Sequence, residues 1–299
     1  MFKSGFIGII GRPNVGKSTL LNALVGERIA IATPKPQTTR NRIMGIRNLA
    51  GNQPGQLIFL DTPGIHRSRS PLNKTMVEAA TTTFGDVDLL LLLVEAGTAP
   101  DPDDRFVIGA LGTAPPVLLV INKIDLVAKH TLFPLIDAYR LLYPFREILL
   151  LSALKASGLE SLLAEIYALL PEGPRYFPEE QMTDRSERFI AAEIIREQIT
   201  LLTYKEIPYA TAVVVEAFQE NESRNLIRIT ATIHVAKESQ KGILIGRKGA
   251  MLKAIGSKAR GGLERFFATR IFLELFVRVA KDWIHDPRLL EEFGYRERK

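Results

Sequence analysis

Residues Gly11-Arg-Pro-Asn14-Val15-Gly16-Lys17-Ser18 constrain this chain more than any other stretch. They follow the short apolar run Phe6–Ile10 and open the amphipathic run Ser18–Val25, so the chain passes here from a buried strand into a helix. The pattern G-x-x-x-x-G-K-[ST] in that setting aims backbone N–H groups and a helix N-terminus at one anion. Gly11 and Gly16 let the main chain wrap close to phosphates. Lys17 can reach the outer phosphates, Ser18 offers a hydroxyl to Mg2+, and Val15 and Thr19 complete the loop and first helical turn. The plain alternative is a glycine-rich turn that binds nothing.

Around this loop, short apolar runs alternate with amphipathic ones. Phe6–Ile10, Leu57–Leu60, Leu89–Val94, Val117–Ile121 and Ile148–Leu151 read as buried strands. Ser18–Val25, Leu72–Phe84, Asp103–Leu111, Phe133–Leu142 and Gly158–Leu170 read as helices, and Arg42–Asn48 as an extra strand antiparallel to Leu57–Leu60. Continuous apolar strands between helices predict an α/β fold, a mainly parallel sheet with helices on both faces. Three prolines and a glycine in Pro171–Pro178 stop a helix and suggest a boundary. The expected division is residues 1–170, a linker over 171–179, and a second domain over 180–299. That second part predicts a helix over Ser186–Thr203, strands Tyr209–Phe218 and Leu226–Val235, and then the stretch Lys241–Leu244. A glycine-flanked loop follows, then a helix from Ala250, another near Lys258–Ala268, and strand Ile271–Val279. The order is α-β-β-α-α-β.

Three further motifs follow the loop in chain order. Asp61-Thr-Pro-Gly64 closes a strand, where Asp61 can hold Mg2+ through water and the Gly64 N–H can sense a terminal phosphate. Asn122-Lys123-Ile-Asp125 closes another. A carboxylate at Asp125 can accept from guanine N1–H and the 2-amino group, whereas adenine would leave it unpaired. Ser152-Ala153 follows the last strand, where a backbone N–H could meet guanine O6. This series resembles the translation-factor-like GTPases over about 150 residues. The resemblance implies that Lys123 packs over the base and Asn122 ties the base loop to the phosphate loop. Thr39 best matches the family's first-switch threonine, a second hydroxyl for Mg2+, with Thr38 the alternative. Ile65 stands where many relatives carry a water-orienting glutamine. Asn14 matches a position that accompanies bound K+ in the related family; its alternative role is to stabilise the turn.

The second part carries Ile243-Leu-Ile245-Gly246-Arg247-Lys248-Gly249, which resembles the I-G-x-x-G clamp of a type II KH domain. It lies in residues 237–270, where nine basic side chains face two acidic ones in a chain of net charge +6. Arg247 and Lys248 would neutralise phosphates, with Lys241, Lys253 and Lys258 nearby, and Ile243, Ile245 and Leu252 would receive unstacked bases. The bland alternative is a solvated basic face.

GRPNVGKSTLLNAL, KPQTTRNRI, DTPGIH, NKID and IGRKGAMLKAIGSKAR together resemble the Era family of bacterial GTPases, from about residue 3 to Tyr295. The resemblance implies GTP and GDP as ligands, with Mg2+ and with K+ as an added candidate. It also implies binding to the 3′ region of small-subunit rRNA, work on the pre-30S particle, a monomer, and a cytoplasmic place with a peripheral membrane contact as an added expectation. Two rival readings are a GTPase acting on tRNA or membranes, and a non-catalytic RNA adaptor. The absence of cysteine excludes disulfides and thiolate metal sites. No run reaches the ~18 apolar residues of a membrane span, and the five apolar residues before Gly11 fit a strand better than a signal peptide.

Overall fold

The strand ahead of Gly11 spans Lys3–Ile10 (β1) and is the hinge of the first sheet's topology. Its companions are β2 (Ile43–Leu49), β3 (Gly55–Asp61), β4 (Leu89–Glu95), β5 (Val117–Asn122) and β6 (Glu147–Leu150). They form the order β2-β3-β1-β4-β5-β6. Only β2 runs antiparallel, pairing Ile43 with Asp61 through to Leu49 with Gly55. The computed structural model describes residues 1–35, 38–64, 85–97, 99–112 and 115–295. Ile65 and the helix expected over Leu72–Phe84 lie outside them.

Every residue of β3 and β5 is buried, as unbroken apolar runs require when both faces are covered. Among the described residues, the α-helices of this unit are α1 (Lys17–Val25), α2 (Pro102–Gly109), α3 (Leu132–Arg140) and α4 (Leu159–Leu169). Leu90, Leu92 and Val94 of β4 pack against Val107 and Ile108 of α2 and Leu132, Leu135 and Tyr139 of α3. The chain runs to one side of β1 for β2 and β3, then to the other for β4. In such sheets the crevice at the carboxyl ends of the strands, where the order reverses, is the place for a ligand.

The proline-rich segment corrects the sequence reading. The chain divides into Met1–Asp184 and Arg185–Lys299, so residues 171–179 belong to the first unit rather than to a free linker. Proline stops a helix but keeps a carbonyl that can accept bonds. Here Pro171 O accepts from Ser4 N–H (3.2 Å) and Pro174 O from Ser4 Oγ (2.6 Å). The buried Gln56 amide accepts from the N–H groups of Tyr176 and Phe177 and donates to Phe177 O. Farther on, Met182 O accepts from Ile46 N–H (2.8 Å), and Thr183 Oγ1 donates to Met44 O (2.6 Å).

The second unit contains α5 (Glu187–Leu202), β7 (Thr211–Asn221), β8 (Leu226–Val235), α6 (Glu238–Ile245), α7 (Ala250–Phe267), β9 (Arg270–Val279) and α8 (Pro287–Glu292). Its sheet has the order β7-β8-β9, with β7–β8 antiparallel and β8–β9 parallel. Lys241–Leu244 is helical, within α6, and the two helices expected after Gly249 are one. Gly261 and Gly262 do not break it. A Cβ on Gly262 would lie 2.9 Å from Ile194 Cγ2, so the missing side chain lets α5 pack closely. No helix among the described residues is long and apolar enough to cross a membrane.

Replacing Gln56 with Leu removes three bonds to Tyr176 and Phe177. At about 1 kcal/mol net per bond, amide exchange of these two residues is expected to rise at least tenfold by mass spectrometry, ahead of exchange in β3.

Candidate functional site

The turn after β1 brings Lys17 into the base of a crevice, where it is 6% exposed. Its ammonium donates to Gly11 O (3.0 Å) and Arg12 O (2.9 Å). Burial lowers its pKa from 10.5 to about 8, against the upward pull of Asp61. Asp61, at the end of β3, is fully buried. Its Oδ2 accepts from Ser18 Oγ at 2.7 Å, and Ser18 Oγ lies 2.7 Å from Thr39 Oγ1. Asp61 Oδ1 is buried without a hydrogen-bond partner. Burial raises this carboxyl from 3.8 to about 6, opposed by Lys17 and by the Ser18 and Thr39 hydroxyls.

Two hydroxyls and an incompletely bonded carboxylate form an all-oxygen set, the chemistry that suits Mg2+. Of the two threonines weighed from sequence, Thr39 is the one brought to Ser18. Thr38 instead donates to Lys35 O and contacts Thr33 Oγ1. Asn14, at positive φ, donates through Nδ2 to Pro34 O (3.1 Å), a loop-holding bond.

Asn122, at the end of β5, joins the two ends of the crevice. Its Nδ2 donates to Val15 O (2.8 Å) and its Oδ1 accepts from Ala153 N–H (2.9 Å). Gly16 makes this approach possible: its φ is +101°, and a Cβ there would lie 2.3 Å from Asn122 Nδ2. Lys123 extends its ammonium to Glu95 Oε1 at 3.0 Å. Asp125 sits exposed in the following turn.

One cavity of about 1000 Å³ takes in both ends. Asn14, Gly16, Lys17, Ser18, Thr19, Thr39 and Gly64 line it, as do Asn122, Lys123, Asp125 and Ser152. Gly11, Val15, Asp61 and Ala153 are buried behind that lining. Among the lining residues that the sequence reading did not assign, four stand beside the motifs. Leu126 and Leu154, 70% and 77% exposed, stand beside Asp125 and Ser152 as apolar flanks for a planar ring. Their signal was an apolar residue directly after each of the last two motifs. Arg12 and Glu95, paired at 3.5 Å, were missed too, although Glu95 ends β4 at the ligand edge of the sheet.

The second unit presents Gly246–Gly249 between α6 and α7 as a tight turn. Gly246 and Gly249 have φ of +71° and +76°, Lys248 has +51°, and Gly249 N–H donates to Gly246 O at 3.1 Å. Arg247, Lys248, Lys253 and Lys258 are exposed and Lys241 is half-buried. Ile243 is 51% exposed, while Ile245 and Leu252 are half-buried, with Leu252 packed against the core.

Comparison with known proteins agrees with both units. A family described as 50S ribosome-binding GTPase matches residues 6–123, and the KH domain family matches residues 206–284. GTPase Era of Syntrophus aciditrophicus is 65% identical over 298 residues, covering 99% of this chain and 96% of its own. GTPase Era of Geotalea uraniireducens is 55% identical, covering 98% of each. Among solved structures, Era in complex with MgGDPNP and nucleotides 1506–1542 of 16S ribosomal RNA is 39% identical. It has a TM-score of 0.94 and covers 99% of both chains. An Aquifex aeolicus Era variant bound to GDP.AlF4- is also 39% identical, with a TM-score of 0.93 and coverage of 98% and 99%.

The Asp61 carboxyl gives a signed pH dependence. Because its pKa is raised in the fold, it holds a proton between about pH 4 and pH 6 that the unfolded chain has released. Burial at this position therefore costs the ligand-free fold stability as pH rises through that window. A divalent cation needs the carboxylate, so its uptake with nucleotide expels that proton. Affinity for Mg2+ with GDP is expected to rise several-fold from pH 5 to 7. Calorimetry in two buffers should show more proton release near pH 5.5 in the wild type than in Asp61→Asn, where only the nucleotide's own phosphate proton remains to be lost.

Proposed function

The chain belongs to the Era family of GTPases, and from that premise we propose how its residues share the work. The protein binds GTP, GDP and Mg2+ and hydrolyses GTP to GDP and phosphate; ribosomal RNA is its partner. The observation that carries the residue assignment is the Ser18–Asp61–Thr39 cluster opening into the cavity that Asp125 also lines.

The amides of Gly16 to Thr19 at the start of α1 receive the phosphates. Lys17 exchanges its two loop carbonyls for β- and γ-phosphate oxygens. Ser18 and Thr39 would hold Mg2+, with Asp61 as the carboxylate of the set; the ion, when bound, would offset the charge of the phosphates. Asn122 keeps the phosphate and base ends in register. Asp125 reads the guanine, with Leu126 and Leu154 flanking the ring. Thr39 and Gly64, both at the phosphate end, respond to the γ-phosphate, so GTP and GDP favour different arrangements of their loops.

In the second unit, Gly246–Gly249 clamps an RNA backbone, Arg247 and Lys248 meet phosphates, and Ile243 and Ile245 receive bases. One solved relative, which covers 99% of this chain, holds nucleotides of 16S ribosomal RNA, whereas the 50S wording belongs to a match over residues 6–123 alone. We therefore assign the RNA as the 3′ region of 16S rRNA, and the work as maturation of the pre-30S particle by a cytoplasmic monomer.

Asp125→Asn is expected to weaken GTP binding about 100-fold or more while xanthosine triphosphate gains affinity, read by equilibrium titration. Unchanged GTP affinity would reject the base assignment. Changing Arg247 and Lys248 together to Ala is expected to lower affinity for a 16S 3′-end oligonucleotide. Its log–log salt slope should flatten by roughly 1 to 1.5.

A further inference from the structure

Two bridges connect the phosphate end of the crevice to the base end. The first is the neutral, buried one through Asn122. The second is ionic and nearer the solvent. Glu95, the last residue of β4, places Oε1 at 3.0 Å from Lys123 Nζ and Oε2 at 3.5 Å from Arg12 Nη2. Arg12 belongs to the phosphate loop and Lys123 to the base motif, so one carboxylate spans both.

The far side of this bridge is anchored. Arg12 Nε lies 3.3 Å from both Asp101 and Asp104. Asp101 caps α2 by accepting from the N–H groups of Asp103 and Asp104. Asp104 is 1% exposed and accepts from Tyr139 Oη of α3 at 2.9 Å. The guanidinium is therefore held from α2, and Glu95 is held between it and Lys123.

We propose that Glu95 is a positioning residue for nucleotide recognition: it fixes the Lys123 side chain along the base end of the cavity and ties that posture to the phosphate loop through Arg12. The proposal rests on the reading of Lys123 as a base-packing cation. A lysine has four rotatable bonds to lose when it settles over a ring. Glu95 imposes that order before the nucleotide arrives, so binding costs less. Glu95, Lys123 and Arg12 all line the same cavity, so the pairs form at the site itself. The side chains of the Lys123–Glu95 pair are 29% and 26% exposed, so each contact is screened and the effect is modest.

The test is a double-mutant cycle on GDP affinity, titrated with Mg2+ present, using Glu95→Ala, Lys123→Ala and the double variant. Glu95→Ala is expected to weaken GDP about three- to fivefold, and in the Lys123→Ala background to add less than twofold. Glu95→Gln, which keeps an acceptor at the same reach, should recover part of the loss. Thermal midpoints of the ligand-free variants should match the wild type within about 2 °C. Additive losses, or a Gln variant no better than Ala, would overturn the proposal. If Lys123→Ala alone binds GDP as the wild type does, the base-packing role of Lys123 is wrong and Glu95 has nothing to position. Loss of guanine preference in the unaltered protein would instead reject the proposed function.

Discussion

A buried ammonium and a buried carboxylate stand at the carboxyl end of one sheet, each bonded to neutral neighbours rather than to the other. Lys17 donates to two loop carbonyls, and Asp61 accepts from Ser18 while its second oxygen has no partner. Both pKa values are displaced by burial toward the neutral forms. Such groups are costly in a closed core, and a fold that only needed stability would replace them with apolar side chains. They make sense where an anion and a cation arrive together: a polyphosphate satisfies Lys17, and a hard divalent ion satisfies Asp61.

The sheet supplies the rigidity that this arrangement needs. Asp61 and Asn122 are the last residues of β3 and β5, so their positions follow from strand register. Thr39 comes from the loop that leads into β2 and reaches the cluster through its hydroxyl, which meets Ser18 and acts on Asp61. The edge of β2 is bonded to Met182 and Thr183, close to where the second unit begins at Arg185. A displacement of β2 must break those bonds or carry the segment with it.

Much of this was legible in the residues. Unbroken apolar runs such as Leu89–Val94, alternating with amphipathic stretches, read as doubly covered strands, and they placed the parallel sheet. The four ligand motifs each follow a strand, and three-dimensional proximity followed from their shared sheet edge. Three things were hidden for physical reasons. The prolines of 171–178 marked the end of a helix, yet proline says nothing about where its carbonyl will bond, and here the acceptors dock on the first unit. The stretch from Ala250 to Ala268 read as two helices, but Ala250–Phe267 is one, and Gly262 within it serves close packing against Ile194. Glu95 belongs to no motif, and only the register of β4 beside β5 sets it within 3.0 Å of Lys123.

The central claim is that this crevice grips a magnesium-bound polyphosphate and selects its purine at Asp125. Titrating the nucleotide-free protein with GDP and with ADP, each with Mg2+ and with chelator, tests it most directly. The account predicts at least a hundredfold preference for GDP over ADP, and weaker GDP binding once the metal is withheld. Equal affinity for the two nucleotides, or indifference to the metal, would contradict it.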